Sequence, residues 1–140
     1  MIVTYAYTDA RVTVDPNIPS TVGNRMQNVP YNMGSLWNTY DFKQGDLAGW
    51  TVGGGVVARG SSLDQSNTVT TPGYVIFNAM ARYVTTWKTS KVTAQLNINN
   101  LFNTEYFASS SYDYACNGCS YAGVTYGIPR SAMATVKLEY

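Results

Sequence analysis

The feature that most restricts this chain is strict two-residue alternation. In Val92–Asn99 (VTAQLNIN), Val92, Ala94, Leu96 and Ile98 alternate with Thr93, Gln95, Asn97 and Asn99. Successive side chains of a β-strand point to opposite faces, so this pattern specifies a strand with one apolar and one neutral polar face. Val75, Phe77, Ala79, Ala81 and Tyr83 repeat it opposite Asn78, Met80 and Arg82, as do Val52, Val56 and Ala58 opposite Thr51 and Arg59. The glycines of VGGGVV weaken that strand but permit close backbone approach or bending. The last segment sets Ala132, Ala134, Val136, Leu138 and Tyr140 against Ser131, Thr135, Lys137 and Glu139, with Met133 as the exception. Residues 2–13 and 31–42 are less regular but rich in β-forming residues. Six strands and no helical periodicity predict an all-β fold.

The connections between these strands alternate in length. Thr13–Pro30, Ser61–Gly73 and Asn103–Gly127 are long; Lys43–Gly49 and the turn around Trp87–Ser90 are short. Long loops on one side and short turns on the other are the arrangement of an outer-membrane barrel. Trp50, Trp87 and Tyr140 then fall at the short-turn end, and Tyr74, Tyr106 and Phe107 at the long-loop end, where amphipathic rings would form two interfacial girdles. The second faces carry Thr, Gln, Asn, Ser and an occasional Arg, and only 12% of residues are charged, about half the usual share. A soluble β-sandwich, the rival architecture, would wet that face with Lys and Glu. Its apolar face would be covered by a second sheet.

Several functions are excluded. The net charge of +1 does not suit a nucleic-acid partner. The absence of histidine removes His-based triads and His-ligated zinc, and the carboxylates are scattered, so neither a catalytic nor a metal site is expected. No apolar run reaches the roughly 18 residues of a membrane helix. The start, MIVTYAYTDAR, goes straight into alternation without a basic leader, so for a protein that belongs outside the cytoplasm the export signal is expected upstream. Cys116 and Cys119 form a CNGC pair without helical or further ligand context. A structural disulfide between Cys116 and Cys119 in an exposed loop is expected, with two unpaired thiols as the alternative.

The segment NINNLFNTEYF resembles the N-x-x-N-L-F-[DN]-x-x-Y motif near the C-terminus of TonB-dependent outer-membrane receptors, with Asn97, Asn100, Leu101, Phe102, Asn103 and Tyr106 in its positions. YAYTDARVT followed by GNRMQNVPYNMGSLWNTYDF resembles a late strand, external loop and next strand of ferric-siderophore receptors. YGIPRSAMATVKLEY resembles their last strand, with Val136, Leu138 and Tyr140 as an outer-membrane assembly signal in which Tyr replaces the usual Phe or Trp. The cysteine pair sits where ferric-hydroxamate-type receptors often carry one.

This resemblance implies an antiparallel up-and-down transmembrane β-barrel segment of about six strands, part of a 22-stranded barrel. Residues 1–140 would be the C-terminal part of the barrel domain, with the plug domain and TonB box lying outside them. Such a fragment is inactive in isolation, because six strands cannot close around a lumen. The implied partners are a ferric siderophore as cargo, the TonB complex through the N-terminal part, outer-membrane lipid and the barrel assembly machinery. No resident cofactor is implied, because the siderophore supplies the iron ligands. Tyr106, Tyr112, Tyr114, Tyr121 and Tyr126 are candidate chelate contacts, although loop packing or the girdle claims each more readily. Arg59 and Arg82 would face the lumen and pair with plug carboxylates. Cobalamin, another metal complex or a glycan are alternative cargoes. Asn97 and Asn99 would face the lumen and Asn103 would open the loop. Asn100, whose strict parity is lipid-facing, requires a bulge or an interfacial position.

Overall fold

The computed structural model describes residues 1–116 and 119–140, with backbone alone for 112–116 and 119–122. Its strands in chain order are β1 (Ile2–Tyr7), β2 (Asn32–Asp41), β3 (Trp50–Arg59), β4 (Ser62–Leu63), β5 (Thr70–Thr71), β6 (Tyr74–Trp87), β7 (Ser90–Asn99), β8 (Phe107–Cys116), β9 (Cys119–Tyr126) and β10 (Ser131–Glu139). Single 3-10 turns occupy Pro19–Thr21 and Gly45–Leu47. Six strands form one antiparallel sheet in the order β1-β2-β3-β6-β7-β10. These are the six strands the sequence predicts, four from alternation and two from β-forming composition, joined up and down without a crossover. All three long connections leave from one end of the sheet, where Tyr7 pairs with Asn32, Arg59 with Tyr74 and Asn99 with Ser131. The short turns lie at the other end, between Asp41 and Thr51 and between Trp87 and Ser90.

Register places the apolar residues on one face. Val52 stands beside Ala81, Ala81 beside Leu96, and Leu96 beside Ala134. Val3, Leu36, Val56 and Phe77 form a second such row. The opposite face carries Thr51, Arg82, Gln95 and Thr135 in one row, and Met80, Asn97 and Met133 in another. No hydrophobic residue among those described is buried. Val52 is 42% exposed, Phe77 41% and Leu96 42%, although all three lie on interior strands of the sheet. The sandwich alternative is therefore corrected: the apolar face is open. Hydrocarbon satisfies such a face and water does not, which is why a sheet of this kind belongs to a membrane barrel.

The triple glycine has a specific role. Trp37 stands opposite Gly55 in register on the polar face, and a Cβ on Gly55 would overlap the Trp37 ring. The indole occupies space that the absent Cβ of Gly55 leaves, and its far edge reaches Gly53. Aromatic rings also gather at the short-turn end: Trp50 packs on Tyr83 with centroids 5.1 Å apart, and Tyr40 on Phe42 at 4.8 Å. Trp87 and Tyr140 are exposed there.

Three expectations need revision. β1 stops at Tyr7, not near Thr13; beyond it, Val12 N–H bonds to the Asn24 carbonyl and Met26 N–H to the Ala10 carbonyl, so residues 10–12 pair with the returning leg of their own loop. The long connections are not plain loops, because they contain the β4–β5 and β8–β9 hairpins. Tyr74 pairs with Arg59 and has polar-face parity, which gives the lipid-facing girdle positions at that end to Tyr5 and Tyr7 of β1.

Candidate functional site

The end of the sheet that bears the long connections is the candidate site. β7 ends at Asn99, and Asn100 turns into the left-handed region with φ 51°. Asparagine tolerates that conformation better than most residues. Asn100 is 2% exposed. Its N–H donates to Asn78 Oδ1 at 3.0 Å, and its Nδ2 donates to the carbonyls of Thr104 (2.8 Å) and Ile128 (3.1 Å). Its Oδ1 accepts from Thr104 N–H at 2.8 Å. Asn100 lies just past the last residue of β7, where strand gives way to loop. It ends the strand and closes the turn with its own amide.

The remaining motif residues surround this turn. Leu101 N–H donates to the Phe77 carbonyl at 2.7 Å. Phe102 lies edge-on to Phe77 at 5.3 Å and is exposed, continuing the apolar face. Asn103, with φ 54°, is the turn former expected, and its Oδ1 accepts from Arg130 N–H at 2.9 Å. Asn97 lies on the polar face and accepts from Gln95 Nε2 at 2.9 Å. Tyr106 packs on Tyr74 with centroids 4.1 Å apart and on Gly127, where a Cβ would overlap its ring. That glycine is required by the close approach. The motif is thus a strand-to-loop corner in which amides fix the turn and Tyr106 anchors its far side.

The candidate chelate contacts separate. Tyr106 and Tyr126 come together at a cavity of about 600 Å³, also walled by Tyr74, Phe107 and Glu105. Tyr126 is exposed and packs on Phe107 at 5.1 Å. Tyr112, Tyr114 and Tyr121 lie on the β8–β9 hairpin, and their side chains fall outside the described residues. The same holds for the Cys116–Cys119 disulfide, although the two backbones are register partners. Val136 and Leu138 share the open face of β10 and Tyr140 follows at its end. Among the described residues no group of three or more His, Cys, Asp or Glu could hold a metal.

Both arginines have partners within the chain. Arg82 donates to Thr51 Oγ1 at 3.1 Å and lies 3.6 Å from Asp41, whose carboxylate also accepts from Thr51 Oγ1. Arg59 donates to the Ala108 carbonyl at 2.7 Å and to the Asn28 carbonyl. Asn28 itself exchanges two bonds with Ser110 across the loops. Nothing in the local sequence announces these partnerships, which join residues far apart in the chain.

In the loop between β3 and β6, Asp64 is fully buried. Burial by itself raises its carboxyl pKa, but the Ser66 hydroxyl and the N–H groups of Val69, Thr68 and Ser66 outweigh that effect and hold it below the ordinary carboxyl value. The anion is the organising centre of the β4–β5 hairpin.

Comparisons with known proteins fit this geometry. A family model described as TonB dependent receptor-like, β-barrel, matches residues 1–101. The ferrioxamine B receptor of Salmonella typhimurium (strain SL1344) is 35% identical over 138 residues, covering 97% of this chain and 18% of the relative. The ferrichrome outer membrane transporter/phage receptor of Escherichia coli (strain K12) is 34% identical, covering 97% of this chain and 17% of the relative. The crystal structure of BauA, the ferric preacinetobactin receptor of Acinetobacter baumannii, superposes with a TM-score of 0.74 at 26% identity, covering 96% of this chain and 18% of that one. The chain spans about a fifth of the length of the curated relatives it matches. It belongs to the TonB-dependent receptor-like β-barrel family.

Proposed function

We propose that residues 1–140 form the C-terminal part of the barrel of a receptor in the bacterial outer membrane that takes up ferric siderophores, of the hydroxamate type, with energy delivered through TonB. The observation that carries this reading is the 35% identity to a ferrioxamine B receptor along 97% of the chain. The physical arrangement agrees with it: an apolar face for lipid, a neutral polar face for a wet interior, and an aromatic-walled cavity at the loop end. Cargo binds through rings and hydroxyls at that end, Tyr106 and Tyr126 among them. The iron stays ligated by its chelator, so the segment acts as wall and rim without catalysing a reaction. The plug, the TonB contact and the remaining strands belong to the rest of the receptor, and the segment alone does not transport. The barrel assembly machinery inserts it, with Val136, Leu138 and Tyr140 as the terminal signal.

The test is uptake of radiolabelled iron as ferrioxamine B and as ferrichrome, in cells expressing the full receptor with and without TonB. TonB-dependent uptake of at least one is expected. Binding of cobalamin, another metal complex or a glycan, with no uptake of either iron chelate, would replace the siderophore assignment.

A further inference from the structure

Three asparagines at the loop end use their side chains as substitute peptide groups. Asn28, Asn67 and Asn100 have φ of 60°, 59° and 51°. A carboxamide offers the same donor and acceptor as a backbone peptide, so it can pair with both the N–H and the C=O of one residue. Asn100 does this with Thr104, closing a local turn. Asn67 does it with Arg25: Arg25 N–H donates to Oδ1 at 2.8 Å and Nδ2 donates to the Arg25 carbonyl at 3.0 Å. Asn28 does it with Ser110, at 2.8 Å in both directions. The last two join different connections.

The Asn28 pair controls an edge. Ser110 stands opposite Val124 on β9, yet its own N–H and C=O are both directed to Asn28. The amide occupies the place where a further strand would pair with β8. Gln27 Nε2 gives the Ser110 carbonyl a second donor at 2.7 Å. From the end of β3, Arg59 spans the Ala108 carbonyl of β8 and the Asn28 carbonyl. Asn28 N–H donates to the Leu63 carbonyl at 2.9 Å, which ties in the β4–β5 hairpin. Ser110 is 2% exposed, so these groups meet away from bulk water.

We propose that Asn28 and Arg59 are positioning residues, a polar clasp that fixes the β8–β9 hairpin against the first long connection and so preorganises the rim for cargo. The clasp is made of side-chain amide hydrogen bonds to the N–H and carbonyl of Ser110 and guanidinium bonds to two backbone carbonyls. Each such bond contributes a modest net amount, so the clasp is strong enough to set one arrangement and weak enough to open. The cargo half of the proposal rests on the siderophore-receptor reading; the clasp itself does not.

The experiment compares the full receptor with its Asn28→Gly, Asn28→Asp and Arg59→Lys variants in lipid nanodiscs. Two quantities are read: hydrogen exchange over residues 107–111, and the Kd for iron-loaded ferrioxamine B or ferrichrome, whichever the wild type binds more tightly. Asn28→Gly keeps the left-handed backbone and removes the amide. Exchange in 107–111 is expected to rise about tenfold, with β3 and β6 unchanged, and the Kd to weaken by about tenfold. Asn28→Asp retains the acceptor for Ser110 N–H but loses the donor, and should fall between. Arg59→Lys keeps one donor and serves as the second variant should Asn28→Gly raise exchange throughout the sheet. Unchanged exchange in 107–111 overturns the clasp. Faster exchange with an unchanged Kd overturns the positioning role. A wild-type receptor that binds neither iron-loaded ferrioxamine B nor ferrichrome contradicts the proposed cargo, while the exchange comparison still decides the clasp.

Discussion

The sheet and the loop end of this molecule solve the same problem by different means. In the sheet, backbone groups pair in a regular ladder and the side chains are free to divide between two media. At the loop end the ladder breaks, and side-chain amides supply the missing peptide partners: Asn100 for Thr104, Asn67 for Arg25 and Asn28 for Ser110. The sheet is specified by parity, which any apolar residue at the right position satisfies. The rim is specified by particular residues, because only a carboxamide on a left-handed backbone makes those pairs without added strain.

The comparison can be broken most forcefully in the sheet. Leu96→Arg puts a charge on the open face beside Ala81, near the middle of β6. It should cost about 2–4 kcal/mol of folding free energy in bilayers, whereas Asn97→Arg on the opposite face should cost much less. Equal costs in a denaturant titration of the reconstituted receptor would mean that the faces do not meet different media. At the rim, Asn100→Ala leaves the Thr104 N–H and the Thr104 and Ile128 carbonyls without their partner. A loss of about 2–3 kcal/mol is expected in the same titration. Asn100→Gly, which keeps the backbone freedom, should not restore it.

Smaller effects sharpen the contrast. Gly55→Ala would press a Cβ on both the Trp37 ring and the Leu36 carbonyl and should cost about 1–2 kcal/mol, only partly relieved when Trp37 is also replaced by Ala. The smallest effect concerns pH. The Asp64 carboxyl is held below its ordinary value in the folded hairpin, so its contribution is complete above that ordinary value and is lost as pH falls through the lower folded one. Amide protection at Val69, corrected for intrinsic exchange, should match between pH 7 and pH 5 and fall only under more acid conditions. Loss of protection already at pH 5 would contradict the anionic role.

These two regions also differ in how far they can be read from residues alone. Four of the six sheet strands follow from alternation, since Val92–Ile98 or Val75–Tyr83 admits one register of faces, and the first two follow from β-forming composition. The alternating loop lengths place the long connections at one end, as found. The β8–β9 hairpin was not legible because SSSYDYACNGCSYAGVTY lacks the alternation of aliphatic and polar residues that marks the sheet strands. Asn100 could be flagged as misplaced but not explained, because its role depends on Thr104 and Ile128 folding back onto it. Asn28 and Arg59 carried no local signal for the clasp, because the contacts that define it reach Ser110 and Ala108, far along the chain.

The most direct test of the account is a nitroxide scan of positions 92 to 98 in the full receptor, reconstituted in lipid, with molecular oxygen as the collision partner. Oxygen concentrates in hydrocarbon, so accessibility should peak at Val92, Ala94, Leu96 and Ile98 and dip at Thr93, Gln95 and Asn97. A flat profile, or one with the opposite phase, would contradict the claim that alternate residues of this sheet face lipid and a wet interior.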